Sequence, residues 1–383
     1  MTDPIYLDYN ATTPVAPEVL AAMLPWLREQ FGNPSSTHAF GRRAAQAVAT
    51  ARRQVADLIG AQPQEIVFTG CATEANNLAL LGTARALTDN GSGKRHLVIS
   101  AVEHPAVMAP AMQLRAQGWD VTVLPVDAFG RVGPDQVAEA LRDDTALVSI
   151  MHANNEVGTL QPITEIGQLT RKRGILLHTD AAQSAGKVPL NVDELGVDLL
   201  TLAGHKFYAP KGVGALYVRG GTPIRPVLHG ADQEHGLRPG TENVAAIVAL
   251  GAAAALASES LATLSAHLVT LRDRLHKELA VAIAGLRLNG HPEQRLPNTL
   301  HVSFPGVSGR ALLVEAADLV AASVGSACHS EHDAVSGVLV AMGVDATRAA
   351  GAVRLSVGRM TTSGEIDRVA KGLVAAWQKL QAR

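Results

Sequence analysis

Two short apolar runs in the middle of the chain set the strongest limit on its fold. Residues 175–177 (ILL) give way to His178, Thr179 and Asp180, and residues 199–202 (LLTL) to Gly204, His205 and Lys206. Apolar runs bounded in this way predict buried parallel strands. In open α/β sheets, ligands sit beyond the carboxyl ends of such strands. An acid, Asp180, and an amine, Lys206, are therefore expected to converge on one sheet edge, with His178 on the pleat face of Asp180. An aldehyde cofactor with a ring nitrogen needs that pair: the lysine forms an imine, and the carboxylate keeps the nitrogen protonated.

The flanking sequence fits the same sheet. Apolar runs at 65–69, 96–100, 121–126, 146–151 and 213–218 read as strands, and periodic segments at 17–30, 42–58, 134–141 and 163–173 read as helices. Such alternation predicts a mostly parallel sheet covered by helices on both sides. The segment 220–241 breaks the pattern with Pro, Gly and Arg. An Ala-rich helix follows, ending near residue 257. A separate helix at 261–284, with short strands near 300–304 and 352–355, then predicts a smaller α+β unit.

Composition excludes several functions. The chain of 383 residues has a formal net charge of −2, so its overall charge gives no electrostatic case for nucleic acid or an anionic membrane. The longest apolar run, 244–257, is shorter than the roughly 20 residues a bilayer span needs. Its two cysteines, Cys71 and Cys328, make no disulfide framework. No basic segment followed by an apolar stretch opens the chain. These features predict a cytoplasmic protein in a reducing compartment.

Several residues stand where chemistry is expected. Gly70-Cys71-Ala72-Thr73 lies between a strand and a helix, where exposed N–H groups hold phosphate; a simple capped helix start is the alternative. Cys71 reads as a packing residue. His104, after the strand at 96–100, has the flat ring to stack on a cofactor and a pKa suited to moving protons. Arg354, flanked by apolar residues in a strand, suits a carboxylate clamp if it faces inward. Cys328 sits among small and polar residues in SVGSACHS, a context for a mobile, exposed thiol rather than a buried one. His329, Glu331 and His332 nearby lack a second ligand cluster at metal spacing, so no metal site is expected.

Ten segments, taken together, resemble one family. They are LDYNATTP (7–14), FGNPSS (31–36), GCATEANN (70–77), EHPAV (103–107), NNEVGTLQPI (154–163), HTDAAQSAGK (178–187), GHKFYAPKGVGALY (204–217), RPGTEN (238–243), GSACHS (325–330) and RLSVGR (354–359). The chain resembles the cysteine desulfurases and selenocysteine lyases, class V aminotransferase-type enzymes of pyridoxal 5'-phosphate fold type I. The resemblance implies an α/β fold: a large domain with a mostly parallel mixed sheet over 14–257, and a small α+β domain from 1–13 and 258–383 carrying the cysteine. It implies that Lys206 forms the imine, Asp180 pairs with the ring nitrogen, Gln183 with the ring hydroxyl, and His104 stacks on the ring. Ala72, Thr73 and His205 would hold the phosphate, with Thr241 from the other subunit of a homodimer. Asn155, beside the cofactor, and Arg354 would hold the substrate carboxylate, and Cys328 would accept sulfur from L-cysteine. An acceptor or cluster-scaffold protein would then receive it.

Two positions depart from the family pattern. Desulfurases carry a phosphate-binding serine where this chain has Ala203, and Thr201 is the candidate replacement. After Cys328, HSEHDAVSGV replaces the desulfurases' serine–proline stretch and is closer to the selenocysteine lyases, so L-selenocysteine is the alternative substrate. A third possibility is a non-catalytic sulfur carrier or scaffold on the same fold, which predicts a colourless protein.

Overall fold

The computed structural model describes residues 3–325 and 336–382. In chain order the strands are β1 (Ile5–Tyr6), β2 (Ile66–Thr69), β3 (His96–Ser100), β4 (Asp120–Leu124), β5 (Thr145–Ser149), β6 (Leu176–Asp180), β7 (Leu199–Ala203), β8 (Gly214–Val218), β9 (Arg287–Leu288), β10 (Thr299–Ser303), β11 (Val320–Ala321) and β12 (Ala352–Ser356). The helices of the first half are α1 (Pro17–Arg28), α2 (Ala39–Ile59), α3 (Ala72–Asn77), α4 (Thr83–Asp89), α5 (Pro105–Ala116), α6 (Pro134–Ala140), α7 (Ile163–Lys172) and α8 (Val192–Leu195). Then come α9 (Val244–Ala282), α10 (Gly309–Glu315), α11 (Gly337–Ala341), α12 (Ala346–Ala350) and α13 (Ser363–Gln381).

Seven strands form one sheet in the order β2-β8-β7-β6-β5-β3-β4. All its pairings are parallel except the two made by β8. The residues of β3, β5 and β7 are buried throughout, which explains why their sequences are mainly apolar rather than alternating. Strand β6 runs further than its apolar run, because His178, Thr179 and Asp180 belong to it. The reason is polar pairing inside the sheet. His178 Nδ1 lies 2.8 Å from Ser149 Oγ, its Nε2 lies 3.1 Å from Thr201 Oγ1, and Thr179 Oγ1 donates to the Ile150 carbonyl at 2.7 Å. Satisfied in this way, the polar groups cost little to bury. The register aligns Asp180 with Thr201, so β6 and β7 finish side by side.

The expected break in the helix after residue 257 is absent. Helix α9 is a single helix of 39 residues. Ser258-Glu259-Ser260 contains no helix breaker, and Ser260 Oγ donates back to the Leu256 carbonyl at 2.6 Å. By length and composition α9 could cross a membrane, yet 56% of its most apolar window is buried within the fold. It packs on α1, α2 and α13 as a core helix. Its two halves serve different cores. Ala246, Ile247, Leu250 and Ala254 join the cluster on the large sheet, whereas Leu264, Leu268, Leu271, Leu275 and Leu279 join a second cluster. That second cluster covers the antiparallel sheet β12-β10-β9. The N-terminus belongs with it: β1 pairs with β11, and Leu7 lies in the same cluster. The chain then passes from Leu7 to Thr13 across the ends of β6 and β7, where the Thr13 N–H donates to the His205 carbonyl at 2.9 Å.

Candidate active site

A cavity of about 450 Å³ opens at the carboxyl ends of the parallel strands. Asp180, the last residue of β6, lines it, and so does Lys206, which ends the single 3-10 turn Gly204–Lys206 directly after β7. The amine and the acid thus reach one space because their strands are neighbours. Lys206 Nζ donates to the carbonyls of Asn10 at 2.7 Å and Ala11 at 2.8 Å. Asp180 Oδ2 accepts from Asn76 Nδ2 at 2.7 Å, and Oδ1 accepts from the Ala182 N–H at 2.9 Å. Two donors fix the carboxylate plane and still leave acceptor capacity for a third partner.

The remaining wall is assembled from helix starts and loops. Ala72 and Thr73 open α3, and His104 caps α5. His104 Nδ1 accepts from the Ala106 N–H at 3.1 Å, which assigns the proton of the neutral ring to Nε2. Burial pushes the His104 pKa below its ordinary value, with Asp180 opposing and Lys206 adding to the shift. Burial, with Lys206, Lys211 and Lys187 adding, takes His205 down to about 4. Both rings are therefore neutral near pH 7. Beside His104, burial pushes the Glu103 carboxyl up to about 8, so it stays protonated. Arg354 is 3% exposed. Its Nη1 donates to the Asn155 carbonyl and its Nη2 to Asp8 Oδ1, both at 2.8 Å, and its Nε has no partner among the described residues.

Comparison with known proteins agrees with this geometry. Residues 5–369 match the family model "Aminotransferase class-V". A cysteine desulfurase IscS of Methanosarcina thermophila is 47% identical over 98% of this chain and 93% of its own length. One from Dictyoglomus turgidum is 47% identical over 95% and 92%. The chain belongs to the cysteine desulfurases of the class-V aminotransferase family. A solved NifS-like protein matches this cysteine desulfurase fold with a TM-score of 0.90 at 38% identity, covering 99% of this chain and all of its own. SspA in complex with cysteine gives 0.81 at 37% identity, over 94% and 100%. The fold is fold type I, as the sequence motifs implied.

Within this cysteine desulfurase, Lys206, Asp180, Gln183, His104, Ala72, Thr73, His205, Asn155 and Arg354 all line the one cavity. Thr241 is exposed and does not line it in the single chain. Cys328 lies outside the described residues; Gly325 and Gly337, on either side of it in sequence, line the cavity. Two expectations are corrected. Cys71 is exposed and lines the cavity, because as the residue before α3 it turns away from the core. Thr201 does not replace the missing serine at Ala203: its hydroxyl is engaged by His178 inside the sheet, while the apolar Ala203 lines the cavity. Asn10, Asn76 and Glu103 lie within the recognised motifs, yet no local pattern gave them roles. Their partners are Lys206 for Asn10, Asp180 for Asn76, and Ser100 and the Met151 N–H for Glu103.

The buried titratable groups predict how stability depends on pH. Among the described residues, burial leads in holding seven histidines below their ordinary value: His96, His104, His152, His178, His205, His276 and His301. It holds Glu103, Glu156 and Asp198 above theirs. The unfolded chain takes up protons on the histidines below about pH 6.5, protons that the fold refuses, so this set loses stability as pH falls. The raised carboxyls act in the opposite sense, losing stability as pH rises above about 4.5. Seven groups outweigh three between about pH 5 and 6.5. The thermal midpoint at pH 5 is expected to lie below that at pH 7, and an equal or higher midpoint at pH 5 contradicts this balance.

Proposed function

We infer that this cysteine desulfurase works with pyridoxal 5'-phosphate, takes sulfur from L-cysteine to give L-alanine, and holds the sulfur as a persulfide on Cys328. The observation that carries the reading is that Lys206 and Asp180 line one cavity at adjoining strand ends. The residues present fit the cofactor. Lys206 is the only lysine lining the cavity among the described residues, Asp180 is an oriented carboxylate, and the start of α3 offers N–H groups and the Thr73 hydroxyl.

When bound, pyridoxal phosphate supplies an aldehyde for imine formation and a ring that accepts electrons from the substrate's α-carbon. Asp180 would hold the ring nitrogen protonated, and Gln183 would meet the ring oxygen. Ala72, Thr73 and His205 would hold the phosphate, joined by Thr241 from a second subunit. Arg354 and Asn155 bind the substrate carboxylate. Lys206 would be the base for the α-proton, and His104, with its proton on Nε2, would manage protons at the departing sulfur. The Cys328 thiolate, rather than the poorly nucleophilic thiol, would attack that sulfur: the S–S bond forms as the substrate's Cβ–S bond breaks, and the electron pair left on Cβ takes up a proton to become the methyl group of L-alanine.

Cys328→Ala is expected to abolish sulfur release from cysteine while the protein keeps its cofactor absorbance; a variant fully active on cysteine rules out the persulfide role. The sequence after Cys328 favours a second reading, selenocysteine lyase, because selenium leaves more readily and a protein thiol can be dispensable. Wild-type turnover of cysteine against selenocysteine decides between them.

The smaller domain of this reading comprises residues 1–13 and 258–383. A homodimer accounts for Thr241 lying outside its own cavity. An exposed apolar pair supports it: Phe31, 78% exposed, stacks on Phe40 at 5.4 Å. Light scattering should give twice the monomer mass, and a monomer that binds cofactor at full affinity contradicts the shared site. In this reading the enzyme is cytoplasmic, which its two cysteines outside any disulfide framework fit, and it passes sulfur to an acceptor or cluster-scaffold protein.

A further inference from the structure

Lys187 is a buried amine that the reaction above does not use. It sits in the turn after β6, is 6% exposed, and among the described residues the one hydrogen bond of its side chain runs from Nζ to Gln183 Oε1 at 2.9 Å. Gln183 Nε2 donates to the Asn10 carbonyl at 2.9 Å, the carbonyl that also accepts from Lys206. The Gln183 amide is therefore read at both ends. The Asn10 carbonyl can only accept, so it demands the NH₂ end, and Lys187 Nζ, a donor whether charged or neutral, takes the oxygen end that this leaves. Nε2 carries two hydrogens and gives one to Asn10, which leaves one N–H on a residue that lines the cavity.

We propose that Lys187 is a positioning residue: by holding Gln183 Oε1, it turns the amide so that its remaining N–H donates to the ring oxygen of the cofactor. The inference rests on the pyridoxal phosphate reading above and adds a control on the cofactor's electronics. A donor on the ring oxygen stabilises that oxygen as an anion and so lowers the pH at which the Lys206–cofactor linkage loses its proton. The charged groups facing Lys187 are Lys206, in the turn after β7, and Arg354 of β12. Burial, reinforced by these two cations, holds the Lys187 pKa well below its ordinary value, which is consistent with a lysine kept for one hydrogen bond rather than for its charge.

The test is a pH titration of the visible absorbance band of the cofactor-loaded enzyme. Lys187→Met, apolar and of similar length, removes the donor and a costly buried amine, so the fold should tolerate it; Lys187→Leu is the second variant. Either is expected to raise the midpoint of the band by about one pH unit, the worth of one net hydrogen bond. Gln183→Leu should raise it similarly, and the Lys187→Met change should add nothing in the Gln183→Leu background. An unchanged midpoint in Lys187→Met and Lys187→Leu overturns the proposal. So does a full additional shift in the double variant, which would mean that the lysine acts by charge alone. A wild-type protein with no visible band overturns both this proposal and the cofactor reading, whereas a normal band that ignores Lys187 overturns only the former.

Discussion

Lys206→Ala is expected to lower cysteine turnover by about a thousandfold or more, the scale of a lost general base compounded by a lost covalent attachment. No other described lysine lines the cavity, and Lys187, the nearby buried amine, is held by Gln183. The variant also leaves the Asn10 and Ala11 carbonyls without this donor, which loosens the N-terminal strap across the site. The start of α3 is unchanged in this variant, so cofactor held there by its phosphate, as proposed above, should still bind, without the absorbance of a lysine linkage. Steady-state assays beside the absorbance spectrum check this. Turnover within tenfold of the wild type would remove Lys206 from the chemistry.

Asp180→Asn is expected to be almost as severe, through two separate effects. The charge proposed to keep the ring nitrogen protonated disappears. In addition, Asp180 now accepts from two donors, Asn76 Nδ2 and the Ala182 N–H. An asparagine in its place turns an NH₂ group toward one of them, donor against donor. Breaking a buried charged contact costs about 3–5 kcal/mol, or roughly two to three and a half orders of magnitude in turnover. Asn76→Ala removes one donor and keeps the charge, so its loss should be smaller, about 1.5–3 kcal/mol for a hydrogen bond to a charged group. The two kcat values, measured together, separate charge from orientation; equal losses in both variants would contradict the role given to the Asp180 charge.

Much of this site was readable from the chain because its key residues follow strands. The runs that became β6 and β7 placed Asp180 and Lys206 at one sheet edge, since adjacent parallel strands deliver their ends together. What escaped local reading depended on distant partners. His178 belongs inside β6 only because Ser149 and Thr201 reach it from β5 and β7. The same contact removes Thr201 from the cavity. Asn76 shows no pattern of its own, because its partner Asp180 lies 104 residues away. The unbroken α9 was hidden by a change of face: small residues serve one core and leucines the other, so one helix read as two. Asn10 gained its place from the N-terminal strap, which β1 anchors to β11 more than 300 residues later in the sequence.

The central claim is that Lys206 carries the cofactor while Asp180 attends its ring nitrogen. Borohydride reduction of the purified protein, followed by peptide mapping, tests it most directly. A visible band that reduction abolishes is expected, with the stable pyridoxyl label on the peptide containing Lys206. A label confined to another lysine, or a protein that takes up no label when supplied with pyridoxal phosphate, would contradict it.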